Sequence, residues 1–474
     1  MIAIAALLTV TAVFAPSTAS FSFETLDLPS PIHVRSCWFD NSTRPERAIA
    51  AAGEACGLGG RRGAKMSHRM LGAVNTAVDE FYARAGLVRH TGAMEFWEEL
   101  ALRCGDSVAS EVGEMLKRRA CGRSAPGDVE VFCRDAERQR ATIDAAAPHT
   151  HAWLGILAGI DDLHAAIDLG CGGGVASCFL AEMNPQARII GVDANPVAIA
   201  TARDMAADLG LRNVEFVAAD VDGFDAGREF DLVISSAVWA ETLDWVHAER
   251  RWSALNELPH LLAPGAMHTP LAATASRHLV DDGVYLSLER CRDLAGLAAW
   301  VGAQQNVGLN FDTTISDMLT IDGVLTGPER LPLVAAHRNT LPTGAQDLVQ
   351  WRLRVGDERF DQALMAEMVM ASGSGTWELL TGTLFEASED DDDFSAALLL
   401  LGRGDAAKLY FATTRGVREV LASSPDGGAE QFRPLYRRMR DHLGRRQSVV
   451  SHRAATNDDV QVVVPRAIAG RGAG

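Results

Sequence analysis

The 474 residues contain no Cys-x-x-Cys pair and no internal repeat, and beyond the first fifteen residues no apolar run reaches membrane-spanning length without charges. Each absence removes a class. Eight cysteines scattered over so long a chain do not make a disulfide scaffold, and Cys171 and Cys178, seven apart across a strand-to-helix junction, do not have the spacing of a metal site. No integral membrane segment is expected after the N-terminus. Basic charge is also in deficit: 44 Lys and Arg stand against 62 Asp and Glu, giving a formal charge of −18. Such a surface repels a phosphate backbone and argues against a general nucleic-acid binder. The clearest basic cluster, Arg433, Arg437, Arg438, Arg440, Arg445 and Arg446, has helical spacing and reads as a solvated helix face.

The composition, 47% hydrophobic, is that of a folded chain with room for two or three cores. Residues 1–20 hold an apolar run, Ile2 to Ala15, followed by small residues, the pattern of a signal-like leader without a basic start. A leader directs the chain to an organelle or the secretory route; without one, a cytoplasmic location is expected. Residues 21–64, with Pro29, Pro31, Pro45 and a glycine-rich end, read as linker. Residues 65–150 read as helical, with Leu71, Val74, Val78, Phe81 and Tyr82 on one stripe, until Pro148 interrupts. This region serves as a packing cap or as a lid over a small-molecule site.

Residues 151–275 change rhythm. Strands are expected at 164–169, 187–192, 214–218, 230–235 and 266–272, with helices between, the last of them broken at Pro259. Gly210 is positioned to stop the helix that begins at Pro196. From 276 to 446 the pattern is less regular. Helices are expected at 285–299, 361–371, 394–401 and 432–443, and strands at 377–385 and 409–413; Glu389 to Asp393 reads as a loop. Residues 447–474 read as a flexible tail with at most a short strand at 461–464.

The chemistry lies in four ordered elements at strand ends. Asp168-Leu-Gly170-Cys-Gly172-Gly-Gly174 is a tight strand-to-helix bend. Glycine tolerates its dihedrals and lets a ligand approach the backbone, and the helix start that follows offers free N–H groups to a carboxylate. Asp168 can accept from a ligand ammonium. Asp193 ends the next strand and can accept two ribose hydroxyls. Asp220 ends the third and can accept an exocyclic amine, with Val221 packed near the ring. The fourth, Phe230 to Ser236, opens onto the expected crevice, with Ser235 at its end. The dinucleotide pattern G-x-G-x-x-G fails, because Val175 and Ser177 stand where its last glycine is required, and no G-K-[ST] ending makes a P-loop.

These elements resemble the class I SAM-dependent methyltransferases. The resemblance covers about residues 162–274 and includes Leu261-Leu262-x-Pro264-Gly265 as the lead-in to a fifth strand. It implies an α/β, Rossmann-like methyltransferase sandwich, here with a helical N-terminal region and an additional α+β C-terminal region. It implies S-adenosyl-L-methionine (SAM) as cofactor, bordered by Asp168, Gly170, Gly172 and Gly174 at the methionine, Asp193 at the ribose, and Asp220 with Val221 at the adenine. The family's antiparallel strands are expected after Ser276, within Trp377 to Thr413 if an insertion intervenes. The segment after Ser235 lacks the Pro-Pro-aromatic signature of enzymes acting on base or glutamine amines, which points to a small-molecule acceptor. Glu241 and His247 are candidates for orienting or deprotonating the acceptor; Trp239 and Trp245 wall a substrate pocket or simply pack in the interior; no metal is expected. Two alternatives stay open: a SAM-binding scaffold or regulator without catalysis, and another SAM-dependent transfer such as that of an aminopropyl group. The oligomeric state is left open.

Overall fold

The computed structural model describes residues 68–90, 92–120, 131, 134–160, 162–239, 252–266, 269–291, 293–323, 327–356, 361–372, 375–389, 392–425 and 428–466. The leader and linker expected at 1–20 and 21–64 lie outside these residues, as do Glu241, Trp245 and His247.

The larger sheet is built on β1 (Ala165–Leu169), β2 (Arg188–Asp193), β3 (Val214–Ala218) and β4 (Phe230–Ser236), parallel and in the order β3-β2-β1-β4. β1 reads Ala-Ala-Ile-Asp-Leu with every residue buried, as required of a central strand covered on both faces. Ala166 joins one core with Phe179, Leu180 and Ile189, while Ile167 and Leu169 join another with Leu258, Tyr285 and Trp300. Helices α1 (His68–Arg84), α2 (Ala93–Cys104), α3 (Asp106–Ala120), α4 (Ala136–Ala145) and α5 (Ala147–Leu157) precede β1; α6 (Val175–Met183) and α7 (Pro196–Asp208) connect the strands. The start of α7 is written in its sequence. Asn195 accepts hydrogen bonds from the Val197 and Ala198 N–H groups, and Pro196 occupies the first turn. Its end is too, since Gly210 takes φ +68°.

The expected fifth strand at 266–272 is not there. Thr269 caps a helix by accepting from the Ala272 N–H, and Pro270 sits in its first turn, so α9 (Pro270–His278) forms instead. The preceding helix, α8 (Ala254–Leu261), continues through Pro259 rather than breaking there. The interruption expected at Pro148 is there: α4 ends at Ala145, and Pro148 sits in the first turn of α5, where its missing N–H costs nothing.

The fifth strand is β5 (Leu279–Leu288), parallel to β4, and a helix expected over 285–299 starts only at Asp293, which caps α10 (Leu294–Gln305). The antiparallel strands follow directly: β6 (Asn310–Phe311), β7 (Asp317–Gly323) and β8 (Gly327–His337), with β8 pairing β5, β6 and β7. The sheet is therefore complete by residue 337, and the core extends past the boundary expected at 275.

After α11 (Ala345–Val355) and α12 (Gln362–Ala371), residues 377–413 build a different, all-antiparallel sheet. Its order is β12-β11-β10-β9-β13, from β9 (Glu378–Glu389), β10 (Asp392–Arg403), β11 (Ala406–Thr413), β12 (Arg418–Ser424) and β13 (Val449–Ala454). β10 includes the stretch 394–401 expected as helix. Ala396, Leu398 and Leu400 face one core and Ala397, Leu399 and Leu401 the other, so a helix-prone sequence is held as strand by burial on both sides. On α13 (Arg433–Leu443), Tyr436, Met439 and Leu443 face inward while Arg437 and Arg438 face solvent. The expected flexible tail is ordered through β13 and α14 (Asn457–Val463). The latter forms where a strand was expected because Thr456 and Asp459 make a capping box. Among the described residues no helix is long and apolar enough to cross a membrane.

The second sheet is tied to the first by a buried carboxylate. Glu367 of α12, 1% exposed, accepts from the Ser253 hydroxyl and from the Ala254 and Leu255 N–H groups at the start of α8. Arg418 of β12 pairs with the same carboxylate at 2.6 Å.

Candidate functional site

Register brings the four sequence elements to one edge. Asp168 lies level with Gly191 of β2 and with Ile234 of β4, so the bend after β1, Asp193 and Ser236 all emerge at the carboxyl ends of adjacent strands. Cys171 and Gly170 both donate to the Val192 carbonyl, which folds the bend back over β2.

The glycines of the bend differ in what surrounds them. Gly170, Gly172 and Gly174 have φ of +76°, +51° and +79°. A Cβ on Gly170 would stand 2.4 Å from Val238, and one on Gly174 2.6 Å from Ala202 and 2.8 Å from Phe216. Gly173 is covered by Ile143 of α4, 2.5 Å from such a Cβ. Gly172 alone of the four would meet nothing within 4 Å. Three glycines serve close packing, and the fourth faces open space.

The acids around that space are held in different ways. Asp168 is 4% exposed, and its Oδ2 accepts from the Ser177 hydroxyl at 2.7 Å. Burial, with Asp193 nearby, pushes its carboxyl up to about 7 despite the Ser177 bond. Asp193 accepts from the Gly172 N–H through Oδ2 at 2.9 Å and from the Asn195 N–H through Oδ1 at 2.8 Å. It therefore locks the open glycine to the second strand. Asp220 is exposed and accepts from the Asp222 N–H at 2.9 Å, a local turn bond, while Val221 beside it is buried and its carbonyl accepts from Thr274.

Ser235 does not reach the crevice. Its side chain is fully buried, shares a hydrogen bond with the Tyr285 hydroxyl at 2.8 Å and donates to Glu289 Oε1 at 3.1 Å. Strand alternation turns the next residue, Ser236, the other way. Ala237 then takes φ +58°, a left-handed conformation unusual for alanine. Glu289, fully buried at the end of β5, accepts from the Trp239 N–H at 3.1 Å and anchors this turn. Trp239 itself is fully buried with its ring 5.1 Å from that of Trp300, so it packs in the core and walls no pocket.

Sequence reasoning missed His149. It lies on α5, which comes before the strands, and its Nε2 is 2.8 Å from Ser236 Oγ. Burial, reinforced by the Arg290 charge, pushes its pKa down to about 3, so the ring is neutral. The signal available was a polar stretch, His149-Thr150-His151, in a helix whose Ala147 and Trp153 to Leu157 are buried. Of the helix's two histidines, His149 and His151, neither announces a site without its partner.

A cradle of this kind suits a ligand with an ammonium, a carboxylate and a ribose. It has one open glycine beside a helix start, one buried acid, and one acid gripping the glycine's own N–H. Residues 160–291 match a family model described as a methyltransferase domain. This stretch is similar to methyltransferase domains, as the glycine bend and the acidic strand ends are to those of the class I SAM-dependent methyltransferases. The cofactor of the class is SAM, and the donor set described above fits it.

Trans-aconitate 2-methyltransferase of Azoarcus sp. (strain BH72) is 34% identical over 110 residues, covering 23% of this chain and 38% of that protein. The enzyme of the same name from Methylobacterium radiotolerans is 29% identical over 210 residues, covering 44% of this chain and 67% of that one. The chain thus spans about two fifths of the first relative's length. Among solved structures, magnesium protoporphyrin IX methyltransferase from Synechocystis PCC 6803, with bound SAM, is 14% identical, with a TM-score of 0.27, 43% of this chain and 83% of that chain covered.

Proposed function

We propose that the chain transfers a methyl group from SAM to a small-molecule acceptor at the crevice above β1, β2 and β4. The observation that carries this reading is the empty space at Gly172, bracketed by Asp168 and Asp193. In this reading the bend from Asp168 to Gly174 borders the methionine end, Asp193 takes the ribose hydroxyls, and Asp220 with Val221 lies at the adenine. SAM supplies an electrophilic sulfonium methyl. The protein has to align the acceptor with it and exclude water. The cover is built from α4 and α5, whose Ile143 and His149 lie on Gly173 and Ser236. Glu241 and His247, in the segment after β4, stay candidates for handling the acceptor.

A finer reading concerns the acceptor. The two relatives described above carry the name trans-aconitate 2-methyltransferase, and a small carboxylic acid is the acceptor class they suggest. Incubation of the purified chain with methyl-tritiated SAM and trans-aconitate tests both levels. Label in an ester supports both; label in another small molecule from an extract supports transfer but not the acid. SAM binding without turnover supports a scaffold, and cleavage without methylation supports another transfer chemistry.

A further inference from the structure

At the strand ends, His149 carries a buried polar atom with no assigned use. His149 is 8% exposed, and Ser236 occupies its Nε2. Its Nδ1, on the other side of the ring, is buried without a hydrogen-bond partner. Leaving such a nitrogen bare carries a desolvation penalty that a ligand hydrogen bond removes. The ring also stands in a telling place. Ser236 is two residues past Ile234, which pairs with Asp168, so it is level with Gly170 on the neighbouring strand. The imidazole therefore lies beside the glycine bend, on the β4 side, where an acceptor approaches a ligand laid along that bend.

We propose that His149 meets the methyl acceptor, donating from Nδ1–H to an oxygen that arrives already deprotonated, a carboxylate, while Ser236 O–H holds the ring by donating to Nε2. This rests on the methyl-transfer reading above. A neutral imidazole has one donor and one acceptor nitrogen, so the direction of the Ser236 bond decides which face the ligand sees. Two consequences of the ring's surroundings favour an acceptor that is already deprotonated. Burial and the neighbouring Arg290 charge both oppose taking up a proton, which makes the ring a poor base for a hydroxyl acceptor. The same positive charge favours an anion beside the ring. In the reaction a carboxylate lone pair forms the O–CH3 bond and the methyl–sulfur bond breaks. The sulfur keeps that electron pair, and no proton moves, so His149 keeps its own throughout.

The test uses the full chain labelled with 15N-histidine, first saturated with S-adenosylhomocysteine (SAH), at pH 7. His149→Gln identifies the resonances. The expected spectrum shows Nδ1 protonated and Nε2 bare, and trans-aconitate shifts the Nδ1 signal whereas catechol, a hydroxyl probe, does not. Nδ1 bare, or a response to catechol and not to the acid, or a response to neither, overturns the proposal. In turnover, His149→Phe should lower kcat/KM for trans-aconitate about 10- to 100-fold, the loss expected for a hydrogen bond to a charged group. His149→Asn, which keeps an N–H donor, should recover part of it. Equal activity of His149→Phe and the unaltered chain also overturns it. If the unaltered chain fails to bind SAH, the methyl-transfer reading itself falls; if it binds SAH and His149 behaves otherwise than stated, only the present inference does.

Discussion

Replacing Gly172 by alanine separates ligand approach from packing at the bend. An alanine here pays for a positive φ, about 1–2 kcal/mol, because its Cβ crowds the following carbonyl. It pays nothing further, since no atom lies within 4 Å of the new methyl. At roughly 2–4 °C per kcal/mol for a domain of 150–250 residues, melting should fall by about 2–8 °C. Gly174→Ala carries the same backbone cost at φ +79° and also drives a methyl to 2.6 Å from Ala202 and 2.8 Å from Phe216. Gly191→Ala has no positive-φ cost but meets Phe216 at 2.6 Å, an overpacking penalty of about 1–3 kcal/mol. The order of stability expected by differential scanning fluorimetry places Gly172→Ala above Gly174→Ala. SAH affinity should show the opposite ranking. The methyl at 172 occupies the ligand's own space and should weaken SAH more than tenfold, about 1.4 kcal/mol, by calorimetry. Gly191→Ala should leave the affinity of its folded fraction unchanged. A Gly172→Ala chain that binds SAH normally, or one that melts as low as Gly174→Ala, refutes the reasoning.

Other outcomes follow from the same geometry. Asp168 ionises near 7 in the folded chain and near 3.8 when free, so the unliganded fold takes up a proton between those values. Its contribution to stability is fully present below about 4 and is lost as pH rises through about 7. A ligand ammonium reverses this preference. SAM binding at pH 6 should therefore release close to one proton, read as a dependence of calorimetric heat on buffer ionisation enthalpy; no dependence contradicts the Asp168 role. Asp193→Ala removes the acceptor of the Gly172 and Asn195 N–H groups and should abolish SAH binding, whereas Asp220→Ala, at an exposed turn, should change stability by no more than about 0.5 kcal/mol and weaken SAH less. Glu367→Gln leaves the Arg418 charge without its carboxylate and should cost about 3–5 kcal/mol, seen as a lower melting temperature with the SAH affinity of folded protein retained.

How much of this was legible in the sequence depends on whether local chemistry or burial decides each element. The bend was legible because positive φ at three positions demands glycine, and the α7 boundaries because Asn195-Pro196 and Gly210 act locally. The acidic strand ends were legible for the same reason: the expected strands end at Leu169, Asp193 and Ala218 within a residue or two. The region from 266 to 299 was not, although Thr269-Pro270 and Asp293 are ordinary helix starts. β5 and α10 are buried almost throughout, so neither shows a polar face whose period separates strand from helix. β10 misled for a related reason, its Ala-Leu run having high helix propensity that two flanking cores override. Within the site, Ser235 and Ser236 differ only in which side of β4 they face, and a one-residue choice of face decides which meets His149. The pairing of His149 with Ser236 spans 87 residues and left no local trace.

The most direct test of the central claim is the position of SAH in a crystal of the complex. The account predicts its backbone-like chain passing over Gly172, its amino group at Asp168 and its ribose at Asp193. SAH bound elsewhere, or no saturable uptake by the folded chain, contradicts it.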